Sequence, residues 1–222
     1  MKPGGVVTSY GASRGMLILG MDGSMARPSA AVAKEGKVIH QISSAEAGAP
    51  SRDILRLAER ALAASSVTIR DVGLIAVTVG PGSFTGVRAA MAAAMGLSAG
   101  CGAPVAGVRT LEAVAACSQA VSGRVTAVSP ARKGTVYVSE FEMTPGGPVE
   151  LSAPVEEPMG GDLVAGPPAG DAPTVAASAA LIAGKRAARG EKFVFPPAPE
   201  YVGRPQAEEL LSGKKDQTIN GR

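Results

Sequence analysis

The sequence predicts an α/β protein built in two lobes, and two observations carry that expectation. Apolar runs of strand length, Met16 to Met21 and Leu74 to Val79, each end in a glycine-containing turn, and a helical pattern follows the second. The chain also runs through strands, helix and strands twice, with the repeat falling near 105–109. Its 222 residues suffice for one large domain or two small lobes. The expected division is a flexible leader over 1–15, a first lobe over 16–106, a smaller second lobe over 107–205 and a tail over 206–222.

Each element has its own justification. Met16 to Met21 is the first strand, and Asp22-Gly23-Ser24 turns the chain after it. Ser29 to Ala33 and Lys37 to Ile42 are strands joined at Glu35-Gly36, a tight hairpin connection. Ser51 to Ala64 is a helix with Ser51 as its cap; Ile54, Leu55, Leu57, Ala58, Ala61 and Leu62 span an apolar arc of about 160°. That is wider than one sheet face requires. The helix is either sunk deeply in its own lobe or packed on its lobe along one flank and on a partner along the other. After the strand Leu74 to Val79 come a glycine-rich turn and a helix of small residues. Pro104 to Val108 is a strand, Thr110 caps a helix to Gln119, and Arg124 to Val128 with Thr135 to Phe141 form another strand pair. Seven prolines between Thr144 and Thr174 exclude long helices there. Val175 to Ala188 is an alanine-rich helix, with Lys185 and Arg186 where its dipole favours cations. Lys192 to Phe195 is a last strand, and Gln206 to Leu211 a turn or two of helix.

Composition narrows the function classes. Hydrophobic residues at 45% and charged residues at 18% support a sizeable core. A net charge of +3 does not mark a nucleic-acid binder, and no Trp, three Tyr and four Phe leave few stacking platforms for bases. Cys101 and Cys117 are too few for a disulfide scaffold, so free thiols in a reducing compartment are expected. The leader has no apolar h-region, and the uncharged stretch Ala89 to Val108 is broken by Gly and Pro and lacks the Leu/Ile/Phe density of a membrane span. The expectation is a cytoplasmic protein.

The turn from Gly80 to Gly86 resembles a phosphate loop in outline only. Its spacing, G-x-G-x-x-x-G, is one residue too long for the dinucleotide fingerprint, and no lysine follows Gly86 as a Walker loop requires. Pro81 and Gly82 fit a sharp turn, and Ser83 or Thr85 fits a helix cap. On the helix that follows, Phe84, Val87, Met91 and Met95 share one arc and Ala89, Ala92, Ala93, Gly96 and Ala99 another. One face is bulky and the other nearly bare; either could be core or contact surface.

No catalytic constellation stands out. His40 is the single histidine, no zinc-ligand spacing exists, and Ser83 is not in a G-x-S-x-G elbow. Asp22 is placed either to hold magnesium beside a phosphate or to close its own turn. Arg88 and Arg109 flank the small-residue helix, where each meets an anion or a surface carboxylate.

Gly80-Pro81-Gly82-Ser83-Phe84-Thr85-Gly86-Val87-Arg88, with Gly107-Val108-Arg109-Thr110-Leu111-Glu112-Ala113 and the strand–turn from Met16 to Ser24, closely resembles the TsaB family, also called YeaZ. The likeness covers about Met16 to Phe141, and Pro199-Glu200-Tyr201-Val202-Gly203-Arg204 is similar to the family's closing segment. The resemblance implies an actin-like, RNase H-like (ASKHA) fold, with two lobes of mixed sheet and flanking helices. It implies a non-catalytic subunit that binds and activates a TsaD-like catalytic partner, and through it a TsaE-like ATPase, to make threonylcarbamoyladenosine next to the tRNA anticodon.

On that resemblance the partner face falls on the two helices, at Ile54, Leu57, Ala58, Ala61, Val87, Met91, Ala92, Met95 and Gly96. No cofactor is expected on this chain, with ATP and magnesium confined to the partner complex. A homodimer is expected in isolation, with indirect or weak tRNA contact and no membrane. Three departures weigh against nucleotide binding: Asp22-Gly23-Ser24 for the family's Asp-Thr-Ser, Ser129-Pro130-Ala131-Arg132 where Asp-Ala-Arg is common, and Pro50-Ser51 for His-Ser. The alternative is a small actin-like phosphotransferase or ATPase acting alone, with Asp22, Ser24, Gly80, Gly82, Ser83 and Thr85 as its nucleotide turn.

Overall fold

A computed structural model describes residues 6–8, 15–46, 53–132, 134–160 and 172–202. Its centre is a five-stranded sheet. Strands β2 (Leu17–Asp22), β3 (Ser29–Lys34) and β4 (Lys37–Ser43) form an antiparallel meander, and β5 (Val72–Thr78) and β6 (Val105–Val108) continue it in parallel with β2. The order is β4-β3-β2-β5-β6. The hairpin between β3 and β4 turns on Glu35 (φ 51°) and Gly36 (φ 74°), two successive left-handed residues that match the twist of the strands.

The central strands are buried on both faces, which is why they read as continuous apolar runs rather than alternating ones. On one face Leu19, Met21, Val32, Ile75 and Val77 pack beneath helices α1 (Asp53–Ala64) and α2 (Phe84–Cys101). On the other, Ile18, Leu74 and Ala76 pack with α3 (Thr110–Cys117) and α4 (Val175–Ala188). α4 lies so close that a methyl group added at Gly20 would stand 2.1 Å from the Ala176 carbonyl oxygen.

The second sheet holds β7 (Gly123–Pro130), β8 (Thr135–Thr144), β9 (Gly147–Glu150) and β10 (Val155–Pro158). It is antiparallel throughout, and the parallel pairings lie in the first sheet, which is mixed. The Pro/Gly-rich stretch leaves no crossover helix between these strands, so successive strands return by short turns. β11 (Phe193–Phe195) pairs with β1 (Val6–Thr8), so part of the expected loose leader is a strand.

The division at 106/107 falls inside β6, and α4, assigned to the second lobe, packs on the first sheet. Sequence order misses this because a helix can return to a sheet built 150 residues earlier. A 3-10 turn at Ile69–Asp71, held by reciprocal Thr68–Asp71 hydrogen bonds, was not anticipated. Arg109, not Thr110, is the capping residue of α3, and Thr110 is its first helical residue. The Ser51 cap, the Gln206 to Leu211 helix and the tail over 206–222 lie outside the described residues.

Candidate functional site

α1 and α2 lie side by side on the same sheet face, and their inner rows are core. Ile54, Leu57, Ala58, Ala61, Val87 and Met91, expected at a partner face, are all buried in the protein's own interior. A partner cannot touch them in this fold. The physical reason is the wide apolar arc of α1: it is filled by the sheet on one side and by α2 on the other. Of the expected residues, Ala92 and Gly96 are exposed and Met95 is half-buried. Val87 and Met91 of the bulky face of α2 therefore turn inward, Phe84 of the same face stays exposed, and Ala92, Gly96 and Ala99 of the bare face point outward. Leu55, 49% exposed among Arg56, Glu59 and Arg60, is the large apolar residue on the outer side of α1.

The turn that launches α2 is spent on packing. Asp22, at the end of β2, is fully buried, and its Oδ1 accepts from the Ser24 N–H (2.9 Å), the Ser24 hydroxyl and the Thr78 hydroxyl (2.7 Å). Oδ2 has no hydrogen-bond partner among the described residues. Burial raises the Asp22 pKa, outweighing the hydrogen bonds that lower it. The next residue, Gly23, lies backbone against backbone with Gly86 of α2: a methyl on Gly86 would stand 1.9 Å from the Gly23 carbonyl oxygen. The Ser83 N–H donates to the Ser24 carbonyl (2.8 Å), and Ser83, not Thr85, caps the helix, its Oγ accepting from the Gly86 N–H (3.3 Å).

Gly80 and Gly82 are also engaged. The Gly80 carbonyl accepts from the Thr110 N–H (2.7 Å), and a Cβ on Gly82 would meet the Ser24 backbone. Of the six residues of the proposed nucleotide turn, Asp22, Ser24, Gly82 and Ser83 close on one another, while Gly80 packs against Thr110 and Glu200. Thr85 alone of them is exposed. Of the remaining buried groups, Cys117 has its thiol pKa pushed up to about 11 by burial beside Ser178, which makes it an unreactive core residue. Among the described residues no cluster of His, Cys, Asp and Glu could hold a metal ion, and no helix is long and apolar enough to cross a membrane.

The contact among three residues around the turn was not anticipated from the sequence. Phe84 and Tyr201, 56% and 50% exposed, have ring centroids 5.9 Å apart. Arg88 lies 3.8 Å over the Phe84 ring and donates to the Tyr201 hydroxyl (3.1 and 3.2 Å). The four-residue spacing of Phe84 and Arg88 was visible on one helix face; Tyr201, 113 residues away, carried no such signal. Arg109 does meet an anion, but within the chain: its guanidinium binds the Glu200 carboxylate through Nε (2.9 Å) and Nη2 (2.7 Å) and the Glu150 carboxylate through Nη1. A cleft of about 300 Å³ lies elsewhere, lined by Val79, Gly107, Phe193 and Pro197 together with Arg186, Glu191 and Lys192.

The family model described as TsaD, tRNA N6-adenosine threonylcarbamoyltransferase, matches residues 45–147. The tRNA threonylcarbamoyladenosine biosynthesis protein TsaB of Escherichia coli is 38% identical over 91 residues, 40% of this chain and 39% of that protein. TsaB of Buchnera aphidicola is 31% identical over 127 residues, 56% of this chain and 60% of that protein. The chain thus aligns with less than two thirds of the length of either relative. YeaZ from Pseudomonas aeruginosa superposes with a TM-score of 0.69 at 24% identity, over 84% of this chain and 100% of that one, which shows a common fold.

Proposed function

The chain belongs to the TsaB/YeaZ family, and on that premise we propose that it is a non-catalytic interaction subunit in tRNA threonylcarbamoyladenosine synthesis. It binds and activates a TsaD-like catalytic chain through the outer faces of α1 and α2, and through that chain it meets a TsaE-like ATPase. The observation that carries this reading is the closed turn. The close approach of Gly23 to Gly86 and the burial of Asp22 support a turn used for packing. The same contact fixes the direction of α2 and leaves Ala92, Gly96 and Ala99 exposed on its outer side.

A bare helical surface lets a second helix approach closely. The stretch 45–147 matches a TsaD model, so a TsaD-like chain would carry a related helix pair. Two related pairs can then meet about an approximate two-fold axis, as two copies of this chain would. This reading has no cofactor on this subunit and no direct role for it in holding tRNA.

Calorimetry against the cognate TsaD-like chain tests the proposal. Association at micromolar concentrations or tighter is expected, with Ala92→Glu weakening it at least tenfold and leaving the melting temperature unchanged. No association of the wild-type chains would sink it. Titration with ATP and magnesium addresses the phosphotransferase alternative, which requires nucleotide binding by this chain alone.

A further inference from the structure

The segment following β11 runs across the start of α2, and its contacts concentrate on one residue. The Glu200 N–H donates to the Val79 carbonyl at the end of β5 (2.7 Å). The Glu200 carbonyl lies against Gly80, where an added Cβ would stand 2.6 Å from it and where φ is +105°. Its carboxylate is gripped by Arg109, the capping residue of α3, which also holds Glu150 of β9. Pro197 packs on Gly107 of β6, and Tyr201 reaches Phe84 and Arg88 in the first turn of α2. One short stretch thereby touches β5, β6 and α2, and through Arg109 both α3 and the second sheet.

We propose that residues 196–202 are a strap that holds the first turn of α2 in the pose its outer face needs, with Arg109 as the buckle and Tyr201 as the contact. Arg109, Glu200 and Tyr201 are positioning residues: they act on the binding surface through α2. The inference rests on the proposed role of that surface in binding a TsaD-like chain. Its physical basis is the length of the lever. The start of α2 is set by a turn of glycines, which resist bending little. Three contacts from a distant segment remove that freedom: a backbone hydrogen bond, a two-point Arg–carboxylate pair, and Tyr201, whose ring lies beside Phe84 and whose hydroxyl accepts from Arg88. Losing them leaves the inner row, Val87 and Met91, in the core, so the helix persists while its first turn loosens.

Glu200→Gln, Tyr201→Ala and the milder Tyr201→Phe, made in the full chain, test this with two readouts. The first is amide hydrogen exchange of Ser83, Gly86, Val87 and Thr110 in the protein alone. Exchange is expected to rise about tenfold in Glu200→Gln and Tyr201→Ala, less in Tyr201→Phe, with amides of β2 and β5 unchanged. The second is affinity for the TsaD-like chain, expected to fall at least tenfold in the same order. Unchanged exchange at the turn overturns the strap. Faster exchange with unchanged affinity also overturns it, because the segment would then be only a staple of the fold. If the wild-type chain binds no such partner, the proposed function fails first, and the exchange readout still decides whether the strap holds α2.

Discussion

α2 and α4 are written in nearly the same alphabet and sit in opposite surroundings. Both are rich in alanine, and both lack the sharp polar and apolar faces of α1. α4 is enclosed: nine of its fourteen residues are buried between the first sheet and α3. α2 buries only Val87, Ala90, Met91 and Ala94 and leaves its other side open. The difference teaches that small residues make close approach possible without saying what approaches. In α4 the approach is complete, since the helix backbone touches the sheet at Gly20. In α2 the outer positions Gly96 and Gly100 have nothing within 4 Å of an added Cβ.

Substitutions can break this contrast at several points. The largest effect is expected inside α2: Met91→Glu places an uncompensated carboxylate in the core and should cost about 4 kcal/mol or more, enough to unfold much of the population. Denaturant melts check this; a stable Met91→Glu protein would mean that the inner row is not core. Gly20→Ala should cost roughly 2–3 kcal/mol by overpacking, because the obstructing atoms at α4 are backbone. A melting temperature within a degree of wild type would refute the close approach of α4 to the sheet.

Asp22→Asn is expected to stabilise. The folded-state pKa of Asp22 is raised, so the folded protein binds more protons than the unfolded chain. Stability from this group is fully present below its unfolded pKa and is lost as pH rises through the folded one. The variant should therefore melt about 2–4 °C higher at pH 7, with the gap closing toward pH 4. A gap that widens in acid would reverse the assignment. The smallest effect belongs to Gly96→Ala, which should add about 0.5–1 kcal/mol through helix propensity alone, since the position is open. Destabilisation there would show that the outer face is covered in the free protein.

Much of the fold was legible because burial leaves a periodic trace. The runs Met16 to Met21 and Leu74 to Val79 announced strands covered on both faces, and the G-P-G-S-F-T-G-x-R stretch announced the turn and helix. The candidate face was legible only in outline. A helical wheel gave α2 two unlike sides, but Val87 and Met91 of its bulky side are core, and with Ile54, Leu57, Ala58 and Ala61 of α1 they make six of nine expected contact residues that went inward. The Arg109–Glu200 and Arg88–Tyr201 pairs left no trace at all, because contacts between residues 91 and 113 positions apart have no period.

Taken alone, the sequence determined the elements and their local chemistry: strands from apolar runs, α2 from a capped glycine turn, a hairpin from Glu35-Gly36. These depend on interactions within a few residues, which composition and spacing encode directly. Only the tertiary structure decided which side of α2 is open, that α4 returns to the first sheet, and that Asp22 is fully buried with Gly23 packed backbone to backbone on Gly86. Each of those depends on which distant segment occupies a given volume, and close packing lets one segment fill it at the exclusion of every other.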